Sequence, residues 1–177
     1  IQVKWSGGSF IANFALYVDS LTLLWMLFVT GLGTLIAIYS LEYMEHDIGK
    51  GYARFFAGVS VFLFAMSCLV MGDNLLMLYL GWEGVGFASY WLIGYFYQRP
   101  AAVAAAKKAF IVNRIGDLGL ALAIYLIWST FGTIQYDEIA PIFAPHQEDI
   151  GSFAATFDSF GGWTVHAIPY LLMLAAF

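Results

Sequence analysis

Four long apolar stretches occupy most of the chain, at about 16–39, 55–71, 75–96 and 104–131. At about 1.5 Å per helical residue, each reaches or approaches the roughly 30 Å hydrocarbon core of a bilayer, the second with the least to spare. Lipid offers no partner to a free backbone N–H or C=O, so only helices and closed barrels cross it. The stretches are too long for barrel strands and lack their alternating pattern. The sequence therefore predicts an all-α protein, a polytopic transmembrane helical bundle with about four full spans and, in AIPYLLMLAAF, the start of a fifth. Composition agrees: only 11% of residues are charged and 62% are hydrophobic, against about 25% charged in a soluble domain.

Lysine and arginine set the orientation. Lys50 and Arg54 follow the first span, and Arg99, Lys107 and Lys108 lie at the entry to the fourth. The opposite side carries Lys4, the turn Gly72-Asp73-Asn74 and a connection over 132–166 with acidic residues but no Lys or Arg. The positive-inside rule puts the first group on the cytoplasmic or matrix side. The 132–166 connection, with Pro141, Pro145 and HQEDIGS, reads as an outer surface loop with one amphipathic turn between Tyr136 and Phe143. No Met opens the chain and it stops within an apolar run. Residues 1–177 are thus expected to be one transmembrane domain fragment of a longer protein, with 167–177 a truncated helix start.

Several functions are disfavoured. A net charge of −5, with seven Lys and Arg and no basic run longer than Lys107-Lys108, offers no stripe for a phosphate backbone, so no nucleic-acid partner is expected. One cysteine, Cys68, permits neither an internal disulfide nor a CxxC zinc site or iron–sulfur cluster held by this chain. His46, His146 and His166 lack neighbours at metal-ligand spacing. Gly84-Val85-Gly86 lies inside an apolar helix, where GxG has no nucleotide-binding meaning. No metal and no cofactor is expected in this chain.

Charged residues within the spans are the informative ones. Glu83 sits about 12 Å inside the third span, where an ionised carboxylate facing lipid costs on the order of 2.5–3.5 kcal/mol. It is therefore either protonated or turned toward a partner or water. A structural ion pair, a protonated hydrogen bonder and a proton-path carboxylate all satisfy that condition. Gly81, Gly84, Gly86, Ser89 and Gly94 surround it and permit close helix approach. In AAKKAFIVNRIGD of the fourth span, Lys107, Arg114 and Asp117 are seven and then three residues apart and share one helix face. Arg114 and Asp117 suit an intrahelical ion pair, read either as a packing clamp or as a coupling element. Lys107 reads as a channel cation or as a side chain snorkelling to the interface.

DSLTLLWMLFVTGLGTLI, IYSLEYM, YARFF, GWEGVGFASYWLIGYF and AAKKAFIVNRIGD together resemble the antiporter-like L subunit, or chain 5, of the proton-pumping NADH:quinone oxidoreductase, respiratory complex I. The resemblance runs from about 14 to 133. It implies a non-redox membrane-arm subunit of a proton translocase, in a bacterial plasma membrane or mitochondrial inner membrane. The implied partners are other membrane-arm subunits, above all the neighbouring antiporter-like one, with the lipid bilayer and protons. Glu83 matches the family's buried glutamate, whose partner lysine belongs to a later helix; Arg114 and Asp117 match its NRxGD pair. A histidine usual in the segment aligned with LIAIYS is replaced by Ala37, so no role is carried over to it. Large subunits of multisubunit sodium/proton antiporters share the buried glutamate and form the alternative, beside a helical scaffold with no proton path.

Overall fold

The computed structural model describes residues 2–5, 8–11, 13–45, 51–143 and 163–176. A hairpin of β1 (Gln2–Trp5) and β2 (Gly8–Ile11), antiparallel with Gln2 opposite Ile11, precedes six described helices. These are α1 (Ser20–Tyr43), α2 (Tyr52–Val70), α3 (Leu75–Ile93), α4 (Pro100–Phe131), α5 (Tyr136–Phe143) and α6 (Trp163–Ala176). The fold is that of an all-α polytopic membrane fragment, to which the hairpin is a small addition not anticipated from sequence. The HQEDIGS cluster lies outside the described residues, as do His46, Asp47 and Lys50. The chain forms two compact units.

One unit comprises Leu16–Gly72 and Leu80–Asn113. Its α1 starts at Ser20 because Asp19 caps it: the carboxylate accepts the Thr22 N–H at 2.6 Å. That bond, with help from the Thr22 hydroxyl, holds the Asp19 carboxyl below its ordinary range. Thr30, Thr34 and Ser40 donate their hydroxyls back to the carbonyls of Met26, Thr30 and Ile36. Ser60 and Ser67 of α2 do the same to Phe56 and Leu63. These polar side chains are thus satisfied without water.

α3 lies against α2 on one side and α4 on the other. Toward α2 the backbones nearly touch: a Cβ built on Gly81 would lie 2.5 Å from the Leu69 nitrogen and 2.6 Å from its Cα. Gly84 meets Ala65 and Gly58 meets Leu92, with equivalent distances of 2.8 and 2.9 Å. The pairs 58/92, 65/84 and 69/81 show the two helices running antiparallel. Toward α4, Gly94 faces Ala106, the Tyr90 and Phe110 rings are 5.2 Å apart, and Gly86 faces Asn113. Among the described residues, α1, α2 and α4 are long and apolar enough to cross a membrane. α3, expected as a full span, has the 19 residues of α2 but falls short in apolar character, because it carries Glu83 and three glycines. Packing against two neighbours supplies the cover that its own side chains do not.

The other unit comprises Ile1–Ala15, Asp73–Tyr79 and Arg114–Phe177. Asn74, 1% exposed, anchors it. Its Oδ1 accepts the Met77 N–H at 2.9 Å, capping α3, while its Nδ2 donates to the Asn13 carbonyl at 2.8 Å. Leu75 N–H reaches the Ile134 carbonyl, and Leu120, Ile124 and Ile134 form a core with Leu75, Leu78, Tyr79 and Trp128 against it. Gly132, at φ +74°, ends α4 in the left-handed conformation. α5 occupies the residues where an amphipathic turn was expected, with Asp137 and Glu138 in its first turn, where the helix dipole favours acids. Burial, and then the Asp73 charge, push the Tyr136 phenol up to about 12. α6 begins at Trp163 rather than Ala167 and packs its Leu171 and Leu174 against Gly119 of α4.

The Gly81–Leu69 approach generates a contrast. In full-length protein in detergent, thermal unfolding of Gly81→Leu is expected at a clearly lower temperature, reflecting overpacking of about 1–3 kcal/mol. Gly31→Ala, at a position with nothing within 4 Å of a new Cβ, is expected to unfold at or slightly above the unaltered temperature.

Candidate functional site

Glu83 follows from the way α3 is packed. Gly81 and Gly84 lie on the side that meets α2, whereas Glu83 lies three, seven and eleven residues before Gly86, Tyr90 and Gly94, the side that meets α4. Glu83 is half-buried and engaged by its surroundings. A Cβ on Gly86, one turn on, would lie 3.9 Å from the Asn113 amide nitrogen. Gly84, the next residue, is closed off by Ala65 of α2, so the neighbours of Glu83 on the α4 side are Gly86 and Asn113.

Lys107 is exposed, one residue beyond Ala106, which is buried against Gly94. Asn113 is also exposed. Both flank the strip of α4 that faces α3 within this unit.

Arg114 and Asp117 belong to the second unit. Arg114 Nη1 lies 3.6 Å from Asp117 Oδ2, beyond hydrogen-bond length and within ion-pair range. The partners differ in environment: the Arg114 side chain is 40% exposed and that of Asp117 5%. Gly116, Gly119, Leu120 and Ala123 around Asp117 are buried. The pair therefore fixes a negative charge inside the unit and extends a positive one to its surface. Among the described residues no three His, Cys, Asp or Glu side chains are grouped closely enough to hold a metal ion.

Sequence reasoning overlooked two features. Asn74 was read as part of an outer turn, although an Asn directly before an apolar run is an N-cap signal. The stacking of Tyr95 and Tyr97 on the Arg54 guanidinium is the other. Charge and ring residues 41 positions apart leave no local pattern to reveal that contact.

Residues 72–177 match the family described as NADH:quinone oxidoreductase/Mrp antiporter, TM. The chain belongs to this family. Residues 5–56 match NADH-Ubiquinone oxidoreductase (complex I), chain 5 N-terminus. Among curated relatives, NADH-quinone oxidoreductase subunit L of Mycobacterium tuberculosis is 49% identical over 73% of this chain and 20% of its own length. The Escherichia coli subunit L is 44% identical over 81% of this chain and 23% of its own length. NADH-ubiquinone oxidoreductase chain 5 of Chondrus crispus is 40% identical over 96% and 24%. The chain thus spans between a fifth and a quarter of the length of these relatives. Its apolar helices and its family make it a multi-pass segment of an energy-transducing membrane.

The Arg114–Asp117 geometry sets an expectation for stability. Arg114→Gln removes the cation nearest the buried Asp117 carboxylate, and with the guanidinium partly exposed the cost is expected to be about 1–3 kcal/mol. Adding Asp117→Asn is expected to restore most of the loss, seen as strong non-additivity in a thermal-unfolding cycle of the full-length subunit.

Proposed function

We propose that this chain is part of a membrane-arm subunit of respiratory complex I and takes part in redox-coupled proton translocation, with Glu83 as its proton-path carboxylate. The observation that carries the reading is the position of Glu83: half-buried in a helix covered by α2 on one side, on the side that meets α4, with glycines before and after it. Residues 72–177 fit a family that also includes Mrp antiporters. The match of 5–56 to the chain 5 N-terminus and the subunit L and chain 5 relatives favour the respiratory reading over a stand-alone sodium/proton antiporter.

In this reading, Glu83 alternates between a protonated state and an ionised state stabilised by a cation brought near it. The redox groups that drive the cation's movement reside in other subunits, so this chain performs no electron transfer and holds no cofactor. Lys107, exposed at the basic end of α4, serves as a cation on the inner approach to the path. Arg114 and Asp117 act as a coupling pair, the exposed guanidinium responding to a neighbouring antiporter-like subunit while Asp117 keeps it anchored. The same pair, formed within one helix, also suits a purely structural clamp.

Glu83→Gln in the full-length subunit separates these roles. In sealed vesicles the variant complex is expected to assemble on native gels and to lose most proton translocation per NADH oxidised. Normal translocation would make Glu83 a packing residue, and failure to assemble would favour a scaffold.

A further inference from the structure

We infer that the groove around Arg54 is a binding site for an anionic phospholipid. Arg54 lies in the first turn of α2, and its Nη2 donates to the Tyr95 carbonyl at 3.4 Å. Its guanidinium carbon stands 5.5 Å from the Tyr95 ring centre and 5.0 Å from that of Tyr97. Tyr95, 6% exposed, is fixed by an edge-on contact with Phe55 at 5.5 Å. The rings hold the guanidinium in place without neutralising it, and no carboxylate of the described residues pairs with it.

Positive charge at this place is unusual for the local helix. A cation in a first turn opposes the helix dipole, and the residue ahead of α2, Gly51, has no side chain to cap its leading N–H groups. An anion seated beside Arg54 satisfies both. Arg99, stacked on Phe96 at 5.0 Å, adds a second cation next to the Tyr95–Tyr97 segment.

Below the cation the groove, about 270 Å³, is walled by Phe87, Tyr90 and Trp91 of α3. A free phosphate gains nothing from those rings, and an alkyl chain gains nothing from the guanidinium. A molecule with a phosphate at one end and an acyl chain at the other uses both. The site lies where a span meets the Lys/Arg-rich side, the side on which basic pockets between membrane helices meet anionic headgroups.

The test uses the full-length subunit in the intact complex, reconstituted in phosphatidylcholine vesicles with trace photoactivatable lipid carrying the reactive group on its acyl chain. A phosphatidylglycerol probe is expected to label residues 87–97 about fivefold more than a phosphatidylcholine probe. Arg54→Gln is expected to remove that difference, and Arg54→Lys to keep much of it. Unlabelled phosphatidylglycerol is expected to compete in the unaltered protein, which decides the matter if Arg54→Gln fails to assemble. Equal labelling by both probes, labelling unaffected by Arg54→Gln, or competition by millimolar inorganic phosphate in place of the lipid would overturn the assignment.

Discussion

Keeping a carboxylate away from hydrocarbon is the constraint on which the α2–α3–α4 packing depends. Glu83 interrupts an apolar helix at a depth where lipid exposure of its charge is costly, and α3, unlike α1, α2 and α4, is not among the described helices long and apolar enough to cross a membrane. Such a helix persists in a bilayer only with protein neighbours. The glycines provide them: Gly81 lets α2 approach to backbone contact, Gly84 seats Ala65 of α2, and Gly94 seats Ala106 of α4. In a membrane this closeness is a source of attraction, since lipid chains are as apolar as the helices and association rests on packing. The same residues that make α3 a poor span by composition make it a well-covered one.

The second unit solves a related problem at a helix terminus. The start of α3 follows a short turn, and its free amides need partners. Asn74 supplies one through its side-chain oxygen and uses its amide to hold the Asn13 carbonyl, so one buried residue secures a helix end and a distant strand of chain. Asp117 is accommodated differently, by a cation three residues away on its own helix. In both places burial of a polar group follows from a partner of matching chemistry.

Much of this architecture was legible in the sequence because lipid is an uncompromising solvent: length and apolarity placed α1, α2 and α4, and a lone acid in an apolar run singled out Glu83. Arg114 and Asp117 could be paired because helical spacing is fixed. The legible features are therefore local ones. The start of α1 shifted from Leu16 to Ser20 because the Asp19 cap outweighs the apolarity of the residues ahead of it. α6 starts at Trp163 because a helix can begin ahead of the apolar run that signals it. Contacts between Arg54 and Tyr95, or between Gly81 and Leu69, depend on how helices meet and leave no periodic trace. Whether α2 or α4 covers each side of α3 was likewise closed to sequence alone.

The central claim is that Glu83 changes its protonation state during turnover while remaining inside the protein. Infrared difference spectroscopy of the intact complex, comparing resting and NADH-driven states in unaltered protein and in Glu83→Gln, tests it directly. The account predicts a carboxyl C=O band that appears or shifts with turnover and is absent from the variant. An identical difference spectrum in the two proteins would contradict it.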